Sequence, residues 1–154
     1  MTEHEAFMGV ALAEARQALE EGEQPFGAVI VRQGRIVAQA HSCKVGASDS
    51  TAHGELLAVR MATQSLGERS LTGATLYTTC EPCSMCPGAI FNAGIRDLVV
   101  GARLRDLDDS AFHTGSYSVE AFAGMMGWEL SLTSGVCEPE CVALYNSSDV
   151  ALSR

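Results

Sequence analysis

His53-Gly54-Glu55 and, well downstream, Pro82-Cys83-Ser84-Met85-Cys86 constrain this chain more than any other feature, because ligand-type residues from two distant segments have to converge. One imidazole and two thiolates form a zinc donor set. Three protein ligands leave the fourth tetrahedral position open, as a catalytic site requires. Glu55 lies two residues from His53, so its carboxylate shares the same pocket and can carry protons there. A fold that satisfies these residues brings both segments to one edge of a sheet, each at the start of a helix. In open α/β sheets that edge, beyond the carboxyl ends of the strands, is where ligands bind.

Periodicity supplies the elements for such a sheet. Between Thr2 and Glu21, the residues Phe7, Val10, Ala11, Ala15, Ala18 and Leu19 recur at helical spacing, and Gly22 ends the helix. Pro25-Phe26-Gly27 leads into an apolar strand, Ala28 to Val31, and Gln33-Gly34 makes a tight turn into a second strand, Arg35 to about His41. Asp49, Ser50 or Thr51 caps a helix from about Ala52 to Leu66, with His53 and Glu55 in its first turn. Thr75 to Thr79 reads as a third strand, and Pro82 opens a helix from Cys83 to about Asn92. Asp97 to Val100 is a fourth strand, Glu129 to Leu132 a weaker fifth, and Glu138 to Tyr145 a final helix. The irregular stretch Ala102 to Ser116 falls where it can line the mouth of the site; His113 within it reads either as surface or as part of that mouth. Alternating strands and helices imply parallel pairing by right-handed crossovers after an antiparallel hairpin. The expected fold class is α/β, a mixed sheet with helices on both faces.

Composition narrows the setting. The length of 154 residues suits one domain. No apolar run approaches the ~20 residues needed to cross a bilayer, and the N-terminus lacks a basic n-region and an apolar signal segment. The expectation is a soluble, cytoplasmic protein with no membrane partner. Six cysteines are present, but three crowd between Cys80 and Cys86, which suits a metal in a reducing compartment better than disulfides. Ten Lys+Arg against nineteen Asp+Glu give a net charge of −9, a field that disfavours nucleic acid, although a local arginine cluster can still form a groove.

Other readings of the same residues stand beside the zinc one. An isolated C-x-x-C fits a structural zinc site or a redox pair equally well, and the upstream H-x-E is what favours a catalytic metal. Cys80, Cys83 and Cys86 also match part of an iron–sulfur pattern, but no fourth cysteine is in register and Cys80 closes a strand. Cys137 and Cys141 share a face of the last helix, Cys43 lies in a loop, and His4 and His41 read as structural or solvated. Met125, Met126 and Trp128 read as core or subunit contact. The chemistry expected from the catalytic reading is hydrolysis of an aromatic amidine. Zinc lowers the pKa of a water to the region of ~7, and Glu55 protonates a ring nitrogen and then the departing amine.

The chain resembles the cytidine-deaminase superfamily, in the branch holding cytosine deaminase, guanine deaminase and tRNA adenosine deaminase. The resemblance rests on the segments Pro25 to Val31, Thr51 to Glu55, Leu76 to Cys86 and Gly88 to Ile90, in order over roughly Phe7 to Gly101. It implies a three-layer α/β/α sandwich with a mixed five-stranded sheet. It also implies one catalytic zinc per subunit and a homodimer whose partner helps complete the pocket. His-Gly-Glu is similar to fungal-type cytosine deaminase, whereas Phe26 and Cys80-Glu81-Pro82 look more like guanine deaminase. Relatives carry Asn where this chain has Ser42, a shorter group with a different hydrogen-bonding pattern, which points toward a modified base or an s-triazine. Phe26, Ser42, Ala52, Glu81 and His113 are thus the candidate substrate contacts.

Acidity and the absence of a basic tail favour a small free heterocycle, cytosine-, guanine- or triazine-like, as substrate. The alternative is adenosine-to-inosine editing of tRNA, which calls for an arginine-lined groove around Arg103 and Arg105. A zinc-binding module without catalysis is a third reading, and the presence of Glu55 argues against it.

Overall fold

The computed structural model describes residues 1–108 and 115–146. Five strands form one sheet in the order β2-β1-β3-β4-β5, with helices on both faces. The first helix, α1 (Glu3–Glu20), starts at a capping box in which Thr2 Oγ1 accepts from the Glu5 N–H and Glu5 Oε2 accepts from the Thr2 N–H. Its buried stripe is Met8, Ala11, Leu12, Ala15 and Ala18 together with Glu14, whereas Leu19 is exposed.

The hairpin follows as β1 (Gly27–Arg32) and β2 (Arg35–His41), antiparallel, with Gln33 and Gly34 both at positive φ as a type I′ turn requires. A bulge between Ile30 and Val31 shifts the register by one. β1 also pairs antiparallel with β3 (Thr75–Cys80), and β3 pairs parallel with β4 (Asp97–Ala102). Every turn of the chain from β2 onward crosses back by a helix, so the carboxyl ends of β2, β3 and β4 share one edge with the start of β1.

Strand alternation divides the core between two faces. Ala28, Ile30, Leu76, Leu98 and Val100 meet Ala58, Ala62 and Ile90 on one side. Those helical residues belong to α2 (Gly54–Leu66) and α3 (Cys86–Asn92). Val29, Val31, Tyr77 and Val99 meet α1 and α5 (Glu138–Tyr145) on the other. Each fully buried Val, Leu or Ile side chain is worth about 1.5–3 kcal/mol against exposure, so the two clusters, and not local propensity, hold the layers.

Several elements depart from expectation. α2 begins at Gly54, which leaves His53 extended at the N-cap (φ −78°, ψ 150°), and only Glu55 lies in the first turn. Asp49 caps no helix; its Oδ1 accepts from the N–H and hydroxyl of Thr51. Cys83 to Met85 form a turn ahead of α3 and not its first turn. A helix not expected from the sequence, α4 (Val119–Met125), fills part of the C-terminal third, and β5 is Ser131–Ser134, two residues later than read, parallel to β4. The stretch expected to be irregular contains the end of β4 and a 3₁₀ turn at Leu104–Asp106; residues 109–114, with His113, lie outside the described residues. Trp128 is half-buried between Phe91 and Phe122, while Met125 and Met126 are exposed. No helix among the described residues is long and apolar enough to cross a membrane.

Candidate metal centre

The N-terminus of α2 is pressed onto the backbone where β1 starts and β2 ends. A Cβ on Gly54 would lie 2.9 Å from Phe26 O and 3.4 Å from His41 Cα, so a glycine between His53 and Glu55 lets the helix approach this closely. That approach delivers His53 and Glu55 to the cleft edge of the sheet. From the other side, β3 ends at Cys80 and the chain turns at once through Glu81 and Pro82 to Cys83.

Three donor atoms converge there. His53 Nδ1 lies 3.4 Å from Cys83 Sγ and 3.6 Å from Cys86 Sγ, and the two sulfurs are 3.9 Å apart. A tetrahedral ion with Zn–S near 2.3 Å and Zn–N near 2.0–2.1 Å needs edges of about 3.8 Å between sulfurs and about 3.6 Å from sulfur to nitrogen. The triangle fits zinc on all three sides. Among the described residues it is the one group of His, Cys, Asp or Glu close enough to hold a metal ion.

Electrostatics follow the geometry. The Cys83 thiol is held down to about 3, chiefly by its contact with the Cys86 thiol, with His53 adding to the effect against burial. The Cys86 thiol is pushed up by that same contact, by burial and by the Glu55 charge. Zinc takes both sulfurs as thiolates, so its binding releases thiol protons. Glu55 is buried, and burial first and the Cys83 charge second raise its pKa. Its Oε1 lies 3.0 Å from Thr78 Oγ1 and its Oε2 3.7 Å from Cys86 Sγ. Thr78 Oγ1 also lies 2.9 Å from Cys80 O. A hydroxyl has one proton to give, so a protonated Glu55 can donate to Thr78 while Thr78 donates to Cys80 O.

The cleft beside the donors is lined by Gln24, Phe26, His53, Glu55, Glu81 and Cys83. Phe26 stacks on Tyr145 of α5 at 5.1 Å between ring centroids. Tyr145 Oη is 2.6 Å from Thr79 Oγ1, and that hydroxyl accepts from the Gly27 N–H. Ser42 and Ala52 adjoin the cleft through backbone bonds, Ser42 N–H to Phe26 O at 3.0 Å and Cys43 N–H to Ala52 O at 2.9 Å. The Ser42 hydroxyl is buried and has no hydrogen-bond partner among the described residues, a costly state that calls for one.

Two sequence expectations need correcting. Glu81 borders the cleft, but both carboxylate oxygens are engaged inside the protein, Oε1 by Arg103 Nε and the Leu104 N–H and Oε2 by the Val119 N–H. Arg103 is buried between Glu81 and Glu120 and therefore does not line an open groove. Gln24 and Thr78 were not foreseen. Gln24 precedes the Pro-Phe-Gly segment by position alone, and Thr78 looks like any β-branched strand residue, so neither carries a signal of its own.

Comparison with known proteins agrees with the site. Residues 1–102 match the cytidine and deoxycytidylate deaminase zinc-binding region. The tRNA-specific adenosine deaminase of Bacillus subtilis is 38% identical over 147 residues, 96% of this chain and 89% of that protein. The tRNA-specific adenosine deaminase of Agrobacterium fabrum is 48% identical over 103 residues, 67% of this chain and 68% of that protein. A solved structure from work on A-to-I editing by tRNA:A34 deaminases superposes with a TM-score of 0.78 at 40% identity, covering 90% of this chain and 98% of that one. These likenesses overturn the expectation of a small free heterocycle as substrate, since they favour the relatives named for tRNA. The chain belongs to the cytidine and deoxycytidylate deaminase zinc-binding family and is a zinc-dependent hydrolytic deaminase.

Proposed function

We propose that the protein hydrolyses adenosine to inosine within tRNA, releasing ammonia. The observation that carries this reading is the reach of the likeness to the B. subtilis tRNA-specific deaminase, which extends over 96% of the chain and so takes in the C-terminal third as well as the metal ligands. The net charge of −9 is a sum over the whole surface and weighs less than local cations at the point of contact. Arg105 is exposed in the 3₁₀ turn just beyond β4, at the cleft edge of the sheet, and takes the place that Arg103 cannot.

Zinc held by His53, Cys83 and Cys86 supplies a nucleophile by bringing the pKa of a water to about 7. Glu55 moves the protons. It is buried beside the ligand sulfurs, takes the proton that the water gives up as its oxygen adds at the amino-bearing carbon and hands it to the purine ring nitrogen, then takes the proton of the added hydroxyl and passes it to the amine as the C–N bond breaks and ammonia leaves. Phe26, held flat against Tyr145, offers a face on which the base stacks. The unpartnered Ser42 hydroxyl offers one hydrogen bond to the edge of the base. Ala52 contributes wall alone, because its N–H and carbonyl are bonded to Asp49 O and the Cys43 N–H.

The test is an incubation with unmodified tRNA transcripts, read for inosine by mass spectrometry, beside an ammonia-release screen of free adenine, guanine, cytosine and triazines. Inosine in tRNA that disappears with Glu55→Gln supports the reading. Ammonia from a free base with no inosine in any tRNA overturns it.

A further inference from the structure

Cys83 is the metal ligand that follows directly on the end of β3, and the Met85 N–H reaches its sulfur. It lies in the turn ahead of α3, half-buried, and Cys86 donates its N–H to Cys83 O at 3.2 Å. The two residues before it are held far more firmly. The Glu81 N–H donates to Ala102 O at 2.8 Å, at the end of β4. Glu81 Oε1 accepts from Arg103 Nε at 2.8 Å and from the Leu104 N–H at 3.1 Å, and Oε2 accepts from the Val119 N–H at 2.9 Å. Pro82 O accepts from Tyr117 Oη at 2.6 Å. These contacts come from the end of β4, the 3₁₀ turn and the start of α4, so the entry to Cys83 is fixed from three separate parts of the chain. Side-chain exposure is 2% for Glu81 and 6% for Arg103. Charges that deep are strongly disfavoured when unpaired, which keeps the clasp closed.

We infer that Glu81 and Tyr117 are positioning residues for the metal centre: through the Glu81 carboxylate and the Pro82 carbonyl they set where Cys83 Sγ stands relative to His53 Nδ1. Supports of this kind behind a ligand are typically worth 10–100-fold in metal affinity or activity. The role replaces the substrate contact expected of Glu81. It also gives a task to the otherwise unassigned α4, whose first backbone N–H closes the clasp. It rests on zinc ligation by His53, Cys83 and Cys86 and not on which base is deaminated.

The experiment compares full-length wild type, Glu81→Gln, Tyr117→Phe and Leu71→Ala, all loaded with zinc. Leu71 is a buried core residue just ahead of β3, at the opposite edge of the sheet, and serves as a control for lost stability alone. Zinc release to a chromogenic chelator is followed well below each melting temperature, and cobalt-substituted samples are examined for thiolate-to-cobalt absorption. Glu81→Gln and Tyr117→Phe are expected to release zinc ~10-fold faster or more and to shift the cobalt bands. Leu71→Ala is expected to melt earlier with an unchanged release rate and spectrum. Release rates that are unchanged in the two variants, or that track melting temperature across all four proteins, overturn the inference. A raised KM with unaltered metal retention in Glu81→Gln does the same by returning Glu81 to substrate contact. Should Glu81→Gln fail to fold, Tyr117→Phe decides alone. A wild type that takes up no zinc refutes the ligand set first and this role with it, whereas a failure on tRNA leaves both readouts in place.

Discussion

Under the proposed mechanism, Glu55 and Thr78 form the smallest unit on which turnover depends. A carboxyl buried this deeply has its pKa raised by burial and by the Cys83 charge, and the Thr78 hydroxyl 3.0 Å away is what orients it in either protonation state. Thr78→Val keeps the shape and removes the hydroxyl. A hydrogen bond to a charged group is worth about 1.5–3 kcal/mol, so kcat should fall roughly 10-fold or more while zinc content stays at the wild-type value. Glu55→Gln should lose turnover by ~10²-fold or more with zinc retained, and Cys83→Ala should lose both. Metal content and kcat measured on the same samples decide the matter. Wild-type turnover in Thr78→Val, or equal zinc loss in Glu55→Gln and Cys83→Ala, is the result against this division of roles.

At the scale of elements, α1 is fastened to β2 by an ion triad. His41 Nδ1 lies 2.5 Å from Glu14 Oε2 and Nε2 lies 2.8 Å from Glu21 Oε2, while Gln39 donates to the other Glu14 oxygen. Burial opposes the charge on His41, but the hydrogen bonds to Glu14 and Glu21 outweigh it, and its pKa is raised from 6.5; the bond to His41 lowers that of Glu21 from 4.5. A raised histidine pKa gives stability that is complete below pH 6.5 and disappears as pH rises through the folded value. A lowered carboxylate pKa gives stability that is present above pH 4.5 and is lost as pH falls through the folded value. The clamp is therefore strongest between pH 4.5 and 6.5. Urea midpoints of wild type and His41→Gln should differ most in that window and converge in alkali, and a difference constant with pH is the opposing outcome. The elements that were legible in the sequence are those whose signal is local: the apolar stripe of α1, the hairpin at Gln33-Gly34, the body of α2, β3 and α5. α4 was not, because in seven residues it buries only Val119 and Ala123 and depends on Phe122 and Trp128 reaching across to Phe91 of α3. β5 is a polar edge strand whose place is set by pairing with Asp97–Val100. Pro82 suggested a helix at Cys83, but the clasp on Glu81 and Pro82 and the need to bring two sulfurs to one imidazole hold the chain in a turn. The ligands and Glu55 were legible because their spacing is short, whereas Arg103 was misread because its two carboxylate partners are distant in sequence.

For the molecule as a whole, the metal centre ties the start of α2 to the turn after β3, on the face of the sheet where α2 and α3 share one core cluster. Each of the two hydrophobic clusters spans several elements, so the apolar core is expected to hold the fold when the metal is removed. Zinc that binds only the folded chain nevertheless raises its stability by mass action, by about 4 kcal/mol when free metal is a thousand times its dissociation constant. For a chain of this length each kcal/mol moves the melting temperature by about 2–4 °C. Removal of zinc with a strong chelator should therefore lower the melting temperature by on the order of 10 °C while leaving the far-ultraviolet circular dichroism of the cold protein unchanged. Re-addition of zinc in excess of chelator should restore it, and His53→Ala, which removes one of three ligands, should melt near the chelated value with or without metal. Unfolding of the chelated protein at room temperature would make the ion a structural requirement, and a melting temperature indifferent to chelator would remove it from these residues altogether.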